Sequence, residues 1–254
     1  MVIIKSASDI KKMKIAGEIS VNALKIAKDA LAAGVTTLSV DKEVTKYIIS
    51  RNAKPAFLGY QGFPNATCIS INNELIHGIP SNNRKVSEGD IVSIDVGVIY
   101  DRFYGDNAAT FAIGEISEED SKLLAVTKEC LIKAIAIAVG GNRLGDIGYT
   151  IENHAHQNGF SIVEAYQGHG LGRKLHEDPS VLNFGIKGRG IKLIPGMTIA
   201  IEPMVNAGVK DIYVDPVDGW TVKTMDNLHS AHFEMSIAIT DNDPIILTDW
   251  REVI

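Results

Sequence analysis

The sequence predicts an α+β fold built from two pseudo-symmetric halves, on two observations. The first is order: two segments with helical spacing precede a strand-rich stretch, and the same succession then repeats. The second is an internal echo. EGDIVSIDVGV at 88–98 lies over IPGMTIAIEPMV at 194–205 when Gly89 is set on Gly196, which pairs Ile94 with Ile201, Val98 with Val205 and Asp95 with Glu202. AGVTTL at 33–38 falls over VGGNRL at 139–144 at nearly the same offset. Identity is low, and what lifts the match above chance is that two acids coincide.

In chain order, residues 8–32 place Ile10, Met13, Ala16, Val21, Leu24, Ala27 and Leu31 near helical spacing, and Gly34 follows as a stop. Asp41 then caps a shorter expected helix carrying Val44, Tyr47 and Ile48. Strands and turns run from Pro55 to about Gly114. Ser117 with Asp120 three residues on marks a helix start, continuing to about Val139 before Gly140 and Gly141. Another helix is expected from Asp146 to about Asn158, with strands and loops from there to Ile254. The expected halves are 8–114 and 115–245, within one domain spanning 1–254.

At 254 residues, 45% hydrophobic and 22% charged, the composition is that of a globular chain able to bury a full core. A net charge of −6 argues against nucleic-acid binding, and no apolar run approaches the roughly 18 residues of a membrane span. MVIIKSASDIKK at the start lacks the features of a secretory signal. Two cysteines, Cys68 and Cys130, make no disulfide framework and no CxxC knuckle, so a reducing, cytoplasmic setting is expected.

SIDVGVIYDRFYGDNAATF at 93–111 carries Asp95 and Asp106 among residues that read as buried. Asp101, beside Arg102, is ordinary turn chemistry. In a hairpin turning near Tyr100–Arg102, Asp95 and Asp106 fall on one face, opposite or diagonal, with Cβ atoms about 4.5–8 Å apart. Two like charges there need a shared proton or a shared cation. Further candidates favour a cation. GHGLGRKLHEDP at 168–179 supplies His169, which flanking glycines should leave accessible, and His176. IEPM supplies Glu202, and Glu234 heads the apolar run of AHFEMSIAIT. Any one of these is ordinarily a satisfied core, edge or loop residue. Together, four acids and an imidazole suit Mn, Fe, Co or Zn as divalent ions, and four carboxylates suit two such ions better than one.

IDVGVIYDRFYGDNAATF, GHGLGRKLHEDP, IEPM and FEMSI, in that order, resemble the type I methionine aminopeptidases of the "pita-bread" metallopeptidase family. The resemblance runs from about Ser8 to Ile245 and takes in CISINNELIHGIP at 68–80 and DGWTVKTMDNLHSAHFE at 218–234. It implies two pseudo-symmetric halves, with a curved antiparallel sheet inside and helices outside. It also implies that Asp95, Asp106, His169, Glu202 and Glu234 ligate two divalent ions, with Asp106 and Glu234 bridging. Asp95 would bind one ion, and His169 with Glu202 the other. His77 matches a position near the scissile amide, and His176 one that contacts the substrate carbonyl and steadies the tetrahedral intermediate. Glu202 would shuttle the proton, and Phe57, Tyr60, Phe63, Cys68 and Trp220 would enclose the methionine side chain. Substrates would be nascent chains starting with Met, a small residue second, met near the ribosome exit by a monomer that touches neither nucleic acid nor membrane.

The chain departs from the family pattern at Leu175, where Phe is usual and which walls the pocket, at Met235, where a polar residue is usual, and at His232, where Gln is common. His154, His156 and His229 match nothing functional and read as helix-surface or loop residues. Two alternatives stand beside this reading. One is a proline-specific aminopeptidase or prolidase, which shares the five ligands and ordinarily carries an added N-terminal domain. The other is a non-catalytic binding module of the same fold, which ordinarily loses ligands.

Overall fold

Ser6 opens the first helix, α1 (Ala7–Ala30). Its hydroxyl accepts from the Asp9 amide, and the Asp9 carboxylate accepts from the Ser6 amide. These contacts belong to a computed structural model, which describes residues 1–252. Helix α2 (Thr37–Ser50) is capped by Thr36 rather than by Asp41. Asp41 lies within the helix, buried, and its carboxylate accepts from the Asn65 side chain, the Ala66 and Thr67 amides and the Thr67 hydroxyl. Its residue type suggests a cap, but it satisfies orphan donors of a distant loop instead. Helix α3 (Glu118–Ala136) starts from Ser117 as expected and stops short of Val139. Helix α4 (Leu144–Gln157) starts ahead of Asp146, whose carboxylate accepts from the Arg143 amide in its first turn.

The strands up to α3 are β1 (Lys54–Pro55), β2 (Thr67–Ile71), β3 (Glu74–Ile76), β4 (Ile91–Tyr100) and β5 (Phe103–Ala112). After α4 come β6 (Ser161–Ile162), β7 (Gly168–Gly170), β8 (Glu177–Val181), β9 (Thr198–Ile201) and β10 (Met204–Asn206). The remaining strands are β11 (Ile212–Val214), β12 (Val222–Thr224), β13 (Ser230–His232), β14 (Glu234–Ala238) and β15 (Ile245–Ile246). The main sheet has the order β1-β4-β5-β14-β9-β7-β8, with β2 also on β4 and β15 on β14. Two three-stranded sheets, β13-β10-β6 and β11-β12-β3, flank it.

Alternation decides which side chains meet. On β4 and β9, Ile94, Val96, Val98, Ile199 and Ile201 join Leu24, Val44, Leu123, Leu131 and Ile151 of the four helices in one apolar core. The intervening residues, Asp95, Gly97 and Ala200, point to the other face, because successive side chains on a strand do so. That resolves the oddity of acids in an apolar run, since only one face of the strand is core.

The two halves repeat in detail. Helices α2 and α4 are equal in length, and Thr37 and Leu144 begin them at the same separation as Gly89 and Gly196. Isolated bridges join Thr36 to Lys85 and Arg143 to Lys192 at that same offset. Gly34 and Gly141 both take positive φ, 89° and 98°. Among the described residues, no helix is long and apolar enough to cross a membrane.

Candidate metal centre and substrate cavity

Register gathers the acids on one face of the main sheet. Cys68 of β2 pairs with Asp95 of β4, Asp95 with Ala108 of β5, and Ala108 with Glu234 of β14. Asp106 pairs with Gly97, so Asp95 and Asp106 are diagonal neighbours on one face. Met235 pairs with Ile201, and carrying that register one step on brings Glu202 level with Glu234. Gly170 pairs with Ile199, which brings His169 alongside β9 on the same face.

His169 is a buried strand residue rather than the accessible loop side chain its glycines suggested. The glycines serve close packing. A Cβ at Gly168 would lie 2.3 Å from the Ala200 carbonyl oxygen, and one at Gly170 would lie 2.1 Å from that of Asp178. The ring of His169 is oriented by Nδ1, 2.9 Å from the Gly170 carbonyl. A carbonyl only accepts, so Nδ1 carries the proton and Nε2 presents a lone pair. That lone pair faces Glu202 Oε1 at 3.6 Å and Asp106 Oδ2 at 3.8 Å.

Such an arrangement repels itself unless protons or a cation sit within it. Ligand atoms of Asp106, His169 and Glu234 lie within 4.8 Å of one another. Asp95 Oδ1, Asp106 Oδ1 and Glu234 Oε1 are buried with no hydrogen-bond partner. Burial, then mutual repulsion, pushes Asp95, Asp106 and Glu234 well above the usual carboxylate range, and burial pushes Glu202 up to about 8. Burial pushes His169 down to about 4, with His176 adding to it. Buried acids with orphaned oxygens around an unprotonated nitrogen fit a divalent cation centre.

The centre forms the floor of a cavity of about 280 Å³. Phe57, Tyr60, Phe63, Cys68, Leu175 and Trp220, all named from the sequence, line it together with His77 and His176. Gly97 makes room for this wall, since a Cβ there would lie 2.5 Å from the Phe57 ring. Phe63 and Trp220 meet edge to face at 5.2 Å. His77, at φ 60°, stands edge-on to Tyr166 and Trp220, and burial, reinforced by His232 and His176, lowers it to about 4. His176 Nδ1 lies 2.7 Å from the Tyr60 hydroxyl, with its ring 4.3 Å from that of His169.

Gln61, Ile76, Tyr166 and Gln167 also line the cavity, and sequence reading passed over them. Tyr166 and Gln167 directly precede the GHG segment, which was the one signal available. His232 is buried, its Nε2 unpartnered and 3.6 Å from Glu202 Oε2. Met235 faces away, into the helix-packed core. His154 and His229 pair with Glu129 and Asp120, away from the cavity.

An antiparallel sheet presenting buried acids and one imidazole to an apolar cavity is the equipment of a metal-dependent hydrolase. The chain belongs to metallopeptidase family M24, which matches residues 11–241. It is 48% identical to the methionine aminopeptidase of Clostridium acetobutylicum over 248 residues, 98% of this chain and 99% of that protein. The crystal structure of methionine aminopeptidase from Rickettsia prowazekii superposes with a TM-score of 0.96 at 41% identity, covering 98% of this chain and 100% of that one. Prolidase from Pyrococcus horikoshii superposes at 0.80 with 27% identity, and the match covers 66% of that longer chain. The pita-bread fold and the likeness to methionine aminopeptidases expected from the sequence are both borne out.

Proposed function

We propose that this chain removes the N-terminal methionine from nascent polypeptides in the cytoplasm, preferring those with a small second residue. The observation that supports it most directly is that the acid cluster and an aromatic-walled pocket share one cavity. Asp95, Asp106, His169, Glu202 and Glu234 would hold the divalent ions, two of them on this reading. Bound there, such ions would supply Lewis acidity and lower the pKa of a bound water.

The remaining steps belong to the chain's own side chains. Phe57, Tyr60, Phe63, Cys68, Leu175 and Trp220 enclose the methionine side chain and exclude water, and sulfur–aromatic contact adds modestly to burial. Glu202 accepts a proton on its carboxylate and delivers it to the leaving amine. His176 Nδ1 lies in hydrogen-bond reach of the Tyr60 hydroxyl, and with Tyr60 as donor the His176 proton would sit on Nε2. From Nε2, His176 donates to the substrate carbonyl oxygen as it gains charge. His77, kept neutral by burial, flanks the scissile amide.

Release of the first residue from Met-Ala-Ser, Met-Lys-Ser and Ala-Pro-Ser tests the reading, with metal-stripped protein compared against protein given Co²⁺, Mn²⁺ or Fe²⁺. Metal-dependent release from Met-Ala-Ser alone is expected. Cleavage of Ala-Pro-Ser alone moves the chain to the proline-specific branch. No cleavage with ions bound makes it a binding module.

A further inference from the structure

We infer that Lys5, six residues ahead of the segment that matches the M24 family, is a positioning residue for His176. The turn between β7 and β8 carries Leu175 and His176 into the cavity, and it closes where Gly170 pairs with Glu177. Glu177 holds that turn together from within. Its Oε1 accepts from the Arg173 and Lys174 amides at 2.8 and 3.1 Å. Its Oε2 accepts from Lys5 Nζ at 2.6 Å. Both side chains are buried, at 5% and 4% exposure, so this is not a solvent-screened surface pair. Lys5 is itself anchored, its amide donating to the Gly196 carbonyl and its Nζ to that of Ile3. Its stem packs on the turn, since a Cβ at Gly172 would lie 2.3 Å from Lys5 Cε.

Removing one partner of a buried ion pair leaves the other charged and unpaired, which is far more costly than replacing both. Without Lys5, the Glu177 carboxylate is drawn toward water and releases the Arg173 and Lys174 amides. The residue that then shifts is its chain neighbour, His176. Displacement of a catalytic group by about 1 Å costs up to 100-fold in rate.

The catalytic half of this inference rests on the proposed peptidase activity; the structural half does not. Three variants of the metal-loaded full chain, Lys5→Met, Lys5→Arg and the double Lys5→Met/Glu177→Gln, are compared with the parent. The readouts are kcat and KM on Met-Ala-Ser, amide hydrogen exchange along the chain, and Tm. For Lys5→Met, kcat falls about 10–100-fold with KM within about threefold, and exchange quickens across 171–178 alone. Lys5→Arg restores both, and the double variant, with its neutral pair, recovers part of the loss. Unchanged kcat despite faster exchange in the turn overturns the positioning role. So does a fall in kcat matched by faster exchange everywhere, or a double variant no better than Lys5→Met. If the parent releases no methionine, the peptidase reading fails by itself, and exchange across 171–178 still decides whether Lys5 holds the turn.

Discussion

Asp95 shows what a functional residue costs its fold. It is half-buried on a strand with Oδ1 fully buried and unpartnered, and desolvation followed by the charges of Asp106 and Glu202 raises it well above its ordinary range. Asp95→Asn keeps the shape and removes the charge. It is therefore expected to stabilise the metal-free protein by about 1–2 kcal/mol at pH 8 and to lower metal-dependent methionine release by at least about 100-fold. Calorimetry in chelator and the peptide assay measure the two effects, and a variant that is less stable without metal contradicts this account of the site. At this scale the sequence was most legible where chemistry was out of place, as with Asp95, Asp106 and Glu202. It was least legible for Tyr166, Gln167 and His232. Aromatic and amide side chains are at home on any surface, and only the folded cavity brings Tyr166 and Gln167 to the substrate pocket and His232 to Glu202.

The β4–β5 hairpin is the element that converts spacing into geometry. Asp101 and Arg102 form a two-residue turn with both φ values positive, 45° and 69°, which matches the twist of the strands it joins. With Tyr100 paired to Phe103, the register follows down the hairpin and fixes Asp95 and Asp106 diagonally. The sequence allowed either an opposite or a diagonal arrangement, because the turn could be centred on more than one pair. Gly97 couples this element to specificity, standing opposite Asp106 with the Phe57 ring where its Cβ would be. Gly97→Ala is expected to push Phe57 from the pocket wall and raise KM for Met-Ala-Ser about tenfold, with a smaller change in kcat and the fold retained. Steady-state kinetics and a thermal melt check this; an unchanged KM would mean that Phe57 is not part of the methionine pocket. The helices were legible to within a few residues, apart from Asp41, because caps and apolar spacing are local. The GHG strand was not, because its glycines answer to Ala200 on another strand and to Asp178 across the β7–β8 turn, contacts that exist only once the strands have paired.

Across the whole molecule, the acid centre spans both halves, with Asp95 and Asp106 from the first and His169, Glu202 and Glu234 from the second. Its electrostatics therefore bear on global stability, and the sign depends on pH. In the metal-free chain, burial holds Glu202 at about 8 and Asp95, Asp106 and Glu234 well above their ordinary range. The folded state keeps protons that the unfolded carboxylates have released by about pH 5. Raised carboxylates thus contribute stability that is lost as pH rises toward their folded values. His77, His169 and His232 act oppositely, since burial lowers each to about 4 and the unfolded histidines take up protons below about pH 6.5. Below that pH the two sets offset one another. Above it the unfolded histidines are neutral, and only the carboxylates count. Metal-free protein should lose about 1.4 kcal/mol per pH unit for each extra proton held by the folded state. Between pH 6.5 and 8.5 the Glu202 proton alone, with its folded value at about 8, is worth about 2 kcal/mol and lowers Tm by about 4–8 °C, while a cation that neutralises the cluster flattens the dependence. Thermal melts at several pH values, in chelator and with Mn²⁺, read this directly. A metal-free Tm that is flat or rises over that range would mean that the acids are not held protonated, and that something other than a divalent cation compensates them.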